Sequence, residues 1–225
     1  MKTLIVKYEQ LIKEERWDID YHLPPIEIAK FPKELLTEIH KCADIIPDKR
    51  NPTLKPENSF LYVDISSIDV ITGMIVNTQE LMGEEAPSRA RKVIKQGDII
   101  ISTCRPTRGA IAIIPEELDN QICSTGFCVI RAKKNVNIQY LHFILRSEST
   151  KEQFRKWSTG SSYPAILDED ILKTKIPLPL KDSQDFIADE VCINIKKRNE
   201  RIFEANSDWA ENTRKIMQQI MSVSV

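Results

Sequence analysis

After Pro179 the chain contains neither proline nor glycine, and this limits its folding more than any other feature. A stripe runs Ile187, Val191, Ile195, Arg198, Ile202, Ala205, Trp209, Thr213, Ile216, Ile220, in steps of 4, 4, 3, 4, 3, 4, 4, 3 and 4. That is close to a heptad seam. Asp182 or Ser183 can cap the start. The spacing predicts one helix of about forty residues, roughly 60 Å long at 1.5 Å per residue. With charge on its other faces, a helix of that length needs a partner. Ile187, Val191, Ile195, Ile202, Trp209, Ile216 and Ile220 are the candidate dimerisation residues. The competing reading is a helix packed along its own domain. Arg198 and Thr213 interrupt the seam, and polar seam residues can specify register at some cost in stability.

Upstream the periodicity changes. Residues 2–15 have helical spacing, and Pro32 suits the first turn of a short helix over Lys33–Cys42. The stretch 46–58 carries Pro47, Pro52 and Pro56 and reads as loop. From Phe60 onward short β-rich runs follow closely: 60–65, 74–76, 99–103, 109–114 and 122–131, with turn signals at Gly73 and Gln96-Gly97-Asp98. Ile138–Leu145, extending toward Trp157, returns to helical spacing. Ile176-Pro177-Leu178-Pro179-Leu180 is extended, because each proline biases the residue before it away from helix. The expectation is an α+β protein. A compact, mostly antiparallel β-sheet domain with short helices fills residues 1–180, and one long coiled-coil-type helix fills 181–225.

Net charge is -1, from 32 basic and 33 acidic residues, which argues against a non-specific polycationic coat for nucleic acid. The charge is not evenly spread. Between Ala86 and Ala110 stand Arg89, Arg91, Lys92, Lys95, Arg105 and Arg108 against Asp98 alone, six minus one, or +5. A solvated strand face would also carry such a run. The five cysteines form no C-x-x-C pair, and the three histidines are not spaced from them as zinc ligands. They read as reduced thiols of a cytoplasmic protein. No apolar run approaches the ~20 residues of a membrane helix, and the N-terminus lacks a signal-peptide pattern.

Catalytic patterns are missing too. Asn51-Pro52-Thr53-Leu54 is not an adenine-methyltransferase motif, and no glycine precedes a Lys-Ser/Thr pair as in a Walker A loop. Asp168-Glu169-Asp170 reads as the acidic first turn of a helix.

Three passages together resemble the specificity subunits of type I restriction-modification systems. The first is Ala86–Thr103 with Arg105-Pro106: a basic segment, then Gly97-Asp98, then a strand. The second is the strand Ser124–Arg131. The third runs from the glycine loop Ser158-Thr159-Gly160-Ser161-Ser162-Tyr163-Pro164-Ala165-Ile166 to Ile176-Pro177-Leu178-Pro179 and then Gln184. The match covers roughly residues 35–225. It departs in having Ser162-Tyr163 where the family often has a glutamine. It also has room for one recognition domain and one helix, where the usual subunit carries two of each. The start at Met1 and the uninterrupted helix favour a natural half-length subunit.

The resemblance implies a non-catalytic target-recognition domain for double-stranded DNA, with no cofactor. Arg89, Arg91 and Lys92 become candidate phosphate contacts, which position without reading sequence. Arg105 and Arg108, around Pro106-Thr107, become candidate base readers able to donate to guanine O6 and N7. Thr103, Thr107, Ser161, Ser162 and Tyr163 join them as DNA-binding candidates, although Ser161 and Ser162 also suit a plain turn and Tyr163 simple packing. The implied partners are methyltransferase (M) subunits, a motor-nuclease (R) subunit and a second copy of the chain, paired through antiparallel C-terminal helices on an interrupted palindrome. Three other readings remain: a recognition subunit for a type II methyltransferase-nuclease, a nuclease in its own right, and a coiled-coil scaffold with no role on DNA.

Overall fold

Ile99, Ile100 and Ile101 are all fully buried. Successive side chains on a strand point to opposite faces, so a strand that buries all three is covered on both sides. The fold follows from that requirement. The computed structural model of the protein describes residues 5–160 and 162–222. Its strands are β1 (Leu36–Glu38), β2 (Ala43–Ile45), β3 (Ser59–Val63), β4 (Ile68–Asp69), β5 (Met74–Ile75), β6 (Gln79–Met82), β7 (Ala90–Ile94), β8 (Asp98–Ser102), β9 (Ile111–Ile113), β10 (Gln121–Ser124), β11 (Phe127–Ala132) and β12 (Lys175–Pro177). Its α-helices are α1 (Tyr8–Glu14), α2 (Ile19–His22), α3 (Ile138–Leu145), α4 (Glu148–Trp157), α5 (Asp168–Lys173) and α6 (Lys181–Ser222). Among the described residues no helix is long and apolar enough to cross a membrane.

Two four-stranded sheets form the body, in the orders β6-β3-β10-β7 and β2-β11-β8-β9. All their pairings are antiparallel except β10 with β3. The chain passes from the first sheet to the second twice, at the β7–β8 turn and at Thr125-Gly126. The single strand expected over 122–131 is therefore two strands, β10 and β11, one in each sheet. Ile100, Ala112, Phe127 and Val129 face the first sheet, packing with Val63, Ile94 and Cys123. Ile99, Ile101, Cys128 and Ile130 face the helices, packing with Leu141, Leu145, Phe154 and Ile176. Each such aliphatic side chain contributes about 1.5–3 kcal/mol by leaving water. At the β7–β8 turn Gly97 adopts φ 83. Asp98, fully buried, accepts from the Lys95 amide and from Arg131 Nε at 2.7 Å and Nη2 at 3.0 Å.

The helix expected over Lys33–Cys42 is not formed. Residues 33–35 and 39–41 make 3-10 turns, and Leu36, Thr37 and Glu38 pair with Pro177, Ile176 and Lys175. A distant strand captured the segment, and its local spacing could not reveal that. The helical spacing beyond Ile138 is real but split into α3 and α4.

Helix α6 has 42 residues, about 63 Å at 1.5 Å each. Its base is fastened by Gln184, which is buried. Gln184 Nε2 donates to the Pro179 carbonyl at 2.8 Å, and its Oε1 accepts from the amide of Asn137, the cap of α3, at 3.0 Å. Ile187 packs on the main core, and Val191 and Ile195 line grooves with Ile71, Phe143, Ile75 and Ile113. From Arg201 to Ser222 every described side chain is exposed. The stripe thus has two fates. Ile187, Val191 and Ile195, expected at a dimer seam, turn toward their own domain; Ile202, Trp209, Ile216 and Ile220 project beyond it.

Candidate nucleic-acid interface

The three sequence passages meet at one end of the two sheets. After β8, Thr103 donates its amide to the Gly126 carbonyl at 2.8 Å, and its hydroxyl to the same oxygen at 2.9 Å. The Thr103 carbonyl accepts from the Ile166 amide at 3.0 Å, and the Arg105 amide donates to the Pro164 carbonyl at 2.7 Å. Thr125 donates to the Arg89 carbonyl at 2.8 Å. The loop after β8, the β10–β11 turn, the glycine loop and the entry to β7 are therefore hydrogen-bonded into one surface. Arg89, Thr103, Arg105, Ser162 and Tyr163 share it.

The local backbone presents these residues outward. Arg105 takes φ 49 and Gly109 φ 76, and between them Pro106–Arg108 forms a 3-10 turn. A non-glycine residue at positive φ costs of order 1–3 kcal/mol and persists where the surroundings impose it. Here the bond from the Arg105 amide to Pro164 supplies that constraint. The Arg105 guanidinium lies 4.6 Å from the Tyr163 ring centroid, and Nη2 reaches the Ser162 carbonyl at 3.4 Å. Tyr163 is 77% exposed, so this stack sits on the surface. Gly160 takes φ 90, and a Cβ there would lie 3.1 Å from the Tyr163 carbonyl oxygen. Thr107 is half-buried and Arg108 exposed. Ser161 lies outside the described residues.

The basic strand divides by face. Arg89 is exposed. Arg91 is half-buried, its Nη1 donating to the Ala90 carbonyl at 2.7 Å and the Pro87 carbonyl at 3.2 Å. Lys92 departs from the phosphate-contact expectation. Its Nζ bonds the Phe127 carbonyl at 2.5 Å and Asp168 at 3.1 Å, with the side chain only 14% exposed. Period-two alternation puts Arg91 and Lys92 on opposite faces, and the inward face holds a carboxylate that needs a cation. Asp168 itself opens α5, where acidic residues complement the helix dipole.

Sequence reading missed a further basic group. Lys49 and Arg50 run antiparallel along the free edge of β7, the Arg50 amide donating to the Arg91 carbonyl at 2.9 Å. With Lys55, Asn51, Asn58 and Asn120 they line a surface cavity of about 600 Å³. The only signal was the Lys49-Arg50 pair within a proline-rich loop. The buried thiols are chemically quiet: burial pushes Cys42 up to about 11 and Cys123 to about 12.

A family model described as the type I restriction modification DNA specificity domain matches residues 38–200. Among curated proteins, the chain is similar to the type I restriction enzyme HindI specificity subunit of Haemophilus influenzae. The two are 30% identical over 130 residues, which is 56% of this chain and 28% of that protein. Among solved structures it is similar to the HsdS subunit of Thermoanaerobacter tengcongensis, at 39% identity and a TM-score of 0.66, covering 82% of this chain and 47% of that one. It is also similar to a chain of a structure on complex assembly and conformational transition of the type I R-M system, at 39% identity and a TM-score of 0.67, covering 83% and 48%. The chain thus spans less than a third of that curated relative and about half of these solved ones.

Proposed function

The chain belongs to the type I restriction modification DNA specificity domain family, and from that premise we propose that it reads one half of a bipartite site in double-stranded DNA. It directs methyltransferase subunits and a motor-nuclease subunit to that site, performs no chemistry itself and takes no cofactor. The observation that carries this reading is the convergence of the loop after β8, the β10–β11 turn and the glycine loop on one surface, with Arg105 stacked on Tyr163.

On this reading Arg105 and Arg108 read base edges, bidentate donation to guanine being the contact their chemistry suits best. Arg89 and Arg91, joined by Lys49 and Arg50, contact phosphates and set register. Thr107, Ser162 and Tyr163 border the readout, and Ser161 remains a DNA-binding candidate outside the described residues. Thr103 has its hydroxyl proton engaged by Gly126, so it serves by accepting. Lys92 serves the fold. Residues 1–180 act as the recognition domain and 181–225 as the spacer and docking helix.

A second copy completes the half-site reader. Ile202, Trp209, Ile216 and Ile220 are 41–75% exposed on the projecting part of α6. Antiparallel pairing of two such helices about a twofold would cover them and set the gap between two half-sites. Methylation-site mapping in source cells with and without the gene tests the function. Loss of one bipartite methylated motif is the expected result; an unchanged methylome would overturn the proposal.

A further inference from the structure

Residues 5–37 precede the span that the family model matches, yet part of this segment lies against the candidate interface. Its centre is Arg16, whose side chain is only 19% exposed. Arg16 Nε donates to Asp18 Oδ2 at 2.7 Å and Nη2 to Asp18 Oδ1 at 3.2 Å. Nη2 also donates to the Ser158 carbonyl at 2.8 Å and the Lys156 carbonyl at 3.4 Å. The guanidinium lies over the Tyr21 ring at 4.5 Å, and that ring meets Trp157 edge-on at 5.9 Å. Asp18 caps α2 by accepting from the Tyr21 amide at 3.0 Å, and Arg16 holds its carboxyl below the usual carboxylate range. His22 Nε2 closes the knot, 2.7 Å from the Arg16 carbonyl.

The location of this knot matters more than its strength. Trp157 ends α4 and Ser158 opens the glycine loop. Carbonyls at a helix C-terminus lack intrahelical donors and carry partial negative charge; Arg16 supplies both donors and charge. Thr159 and Ala165 pair the two stems of the loop, and the second stem is also fixed through the bonds of Ile166 and Pro164 to Thr103 and Arg105. Arg16 thus ties the first stem where it leaves α4, below the tip where Tyr163 lies under Arg105. The same segment walls the space between the loops. Asp18 and Asp20 line a cavity of about 520 Å³ with Thr107, Ser158, Gly160 and Pro164.

We propose that Arg16–His22 is a positioning clamp for the glycine loop, so that a segment outside the matched domain sets how sharply the DNA site is read. The clamp touches no DNA; it acts through Ser158 on Tyr163 and Arg105, and it rests on reading those loops as the DNA face. Binding sites discriminate only when the contacting residues are held by supporting ones.

The test uses the full chain and the duplex sequence that the wild-type chain enriches from a randomised library, with a scrambled duplex as control. A wild-type chain that enriches no sequence defeats the DNA reading itself, before any variant is made. Given enrichment, Arg16→Ala should lower the preference for selected over scrambled duplex by about tenfold and leave binding to the scrambled duplex unchanged. Amide hydrogen exchange should rise in the glycine loop and not in β8 or β11. Arg16→Lys, which keeps the charge but loses the planar fork, should recover only part of the preference. Wild-type preference in a folded Arg16→Ala protein overturns the clamp and leaves the arm a stability element. If Arg16→Ala does not fold, Asp18→Asn carries the same test, since it keeps an oxygen for the Tyr21 amide but removes the charge that orients Arg16. A lowered preference there supports the clamp, and an unchanged one overturns it.

Discussion

The guanidinium of Arg105, itself half-buried, rests 4.6 Å from the ring centroid of the exposed Tyr163, joining the loop after β8 to the glycine loop. Arg105 holds a positive φ to do so. The position should therefore respond to substitution in a way that separates fold from function. Arg105→Ala should lower discrimination between matched and mismatched duplexes by about 1–3 kcal/mol, and stability by about 0.5–1 kcal/mol through the lost stack. Arg105→Gly should lose the same discrimination but stay within about 0.5 kcal/mol of wild-type stability, because relief of the positive φ offsets the lost stack. Competition binding and urea unfolding measure the two quantities. Full discrimination in either variant removes Arg105 from the readout.

Salt should sort the basic residues. Arg89→Ala should weaken binding to all sequences alike and flatten the plot of log affinity against log salt by about one unit of slope. Lys92→Ala should leave that slope unchanged. It removes the cation beside Asp168 and the donor to the Phe127 carbonyl, and the cost should fall on folding instead, about 1–3 kcal/mol. Fluorescence anisotropy at several salt concentrations, with thermal unfolding alongside, distinguishes the two.

Trp209 is 75% exposed on the projecting helix. Trp209→Asp should shift sedimentation of the chain toward monomer while leaving the domain's unfolding midpoint unchanged, because the side chain stands on the exposed part of α6. A wild-type chain that sediments as monomer at every concentration, alone and with methyltransferase subunits, would refute the twofold pairing.

His142 is buried, with Nε2 3.1 Å from the Ile111 carbonyl, and burial beside Arg146 pushes its imidazole down to about 4. The unfolded chain takes up this proton near pH 6.5, the folded chain only near 4. The stabilisation is thus complete above pH 6.5 and is lost as pH falls from there toward 4, about 3 kcal/mol in all. Urea midpoints at pH 7 and pH 4.5 should differ accordingly, and His142→Leu should shrink the difference. Asp69, whose carboxyl is held low by the Thr72 hydroxyl, adds its own loss only at still lower pH.

What could be read in the sequence was local. The isoleucine run, the Gly97-Asp98 turn and the proline-free tail each declare their structure through neighbours, and the order of the three loop passages carries the family likeness. What could not be read depends on distant partners. Lys33–Cys42 has helical spacing, but β12 takes its centre, Leu36–Glu38, as a strand. Lys92 and Arg91 look alike until Asp168 pairs with one of them. Ile195 and Ile202 continue one stripe, and only the size of the domain beneath decides that the first is covered and the second is not. Residues 16–22 showed no motif, since the knot around Arg16 exists only when Ser158 and Trp157 are beside it.

Helix α6 leaves its domain near residue 201 and continues to Ser222 with every described side chain exposed. A free helical segment of about twenty residues is only marginally stable in water, and its opening costs far less than unfolding the sheets beneath it. An unassembled copy therefore offers proteases an accessible strip ending in Ile216, Met217, Ile220 and Met221, all exposed. Burial by a second copy or by partner subunits would close that strip. If the chain assembles through this strip, as proposed, its lifetime becomes a measure of assembly, and the surface that builds the complex would also be the one by which surplus copies are removed.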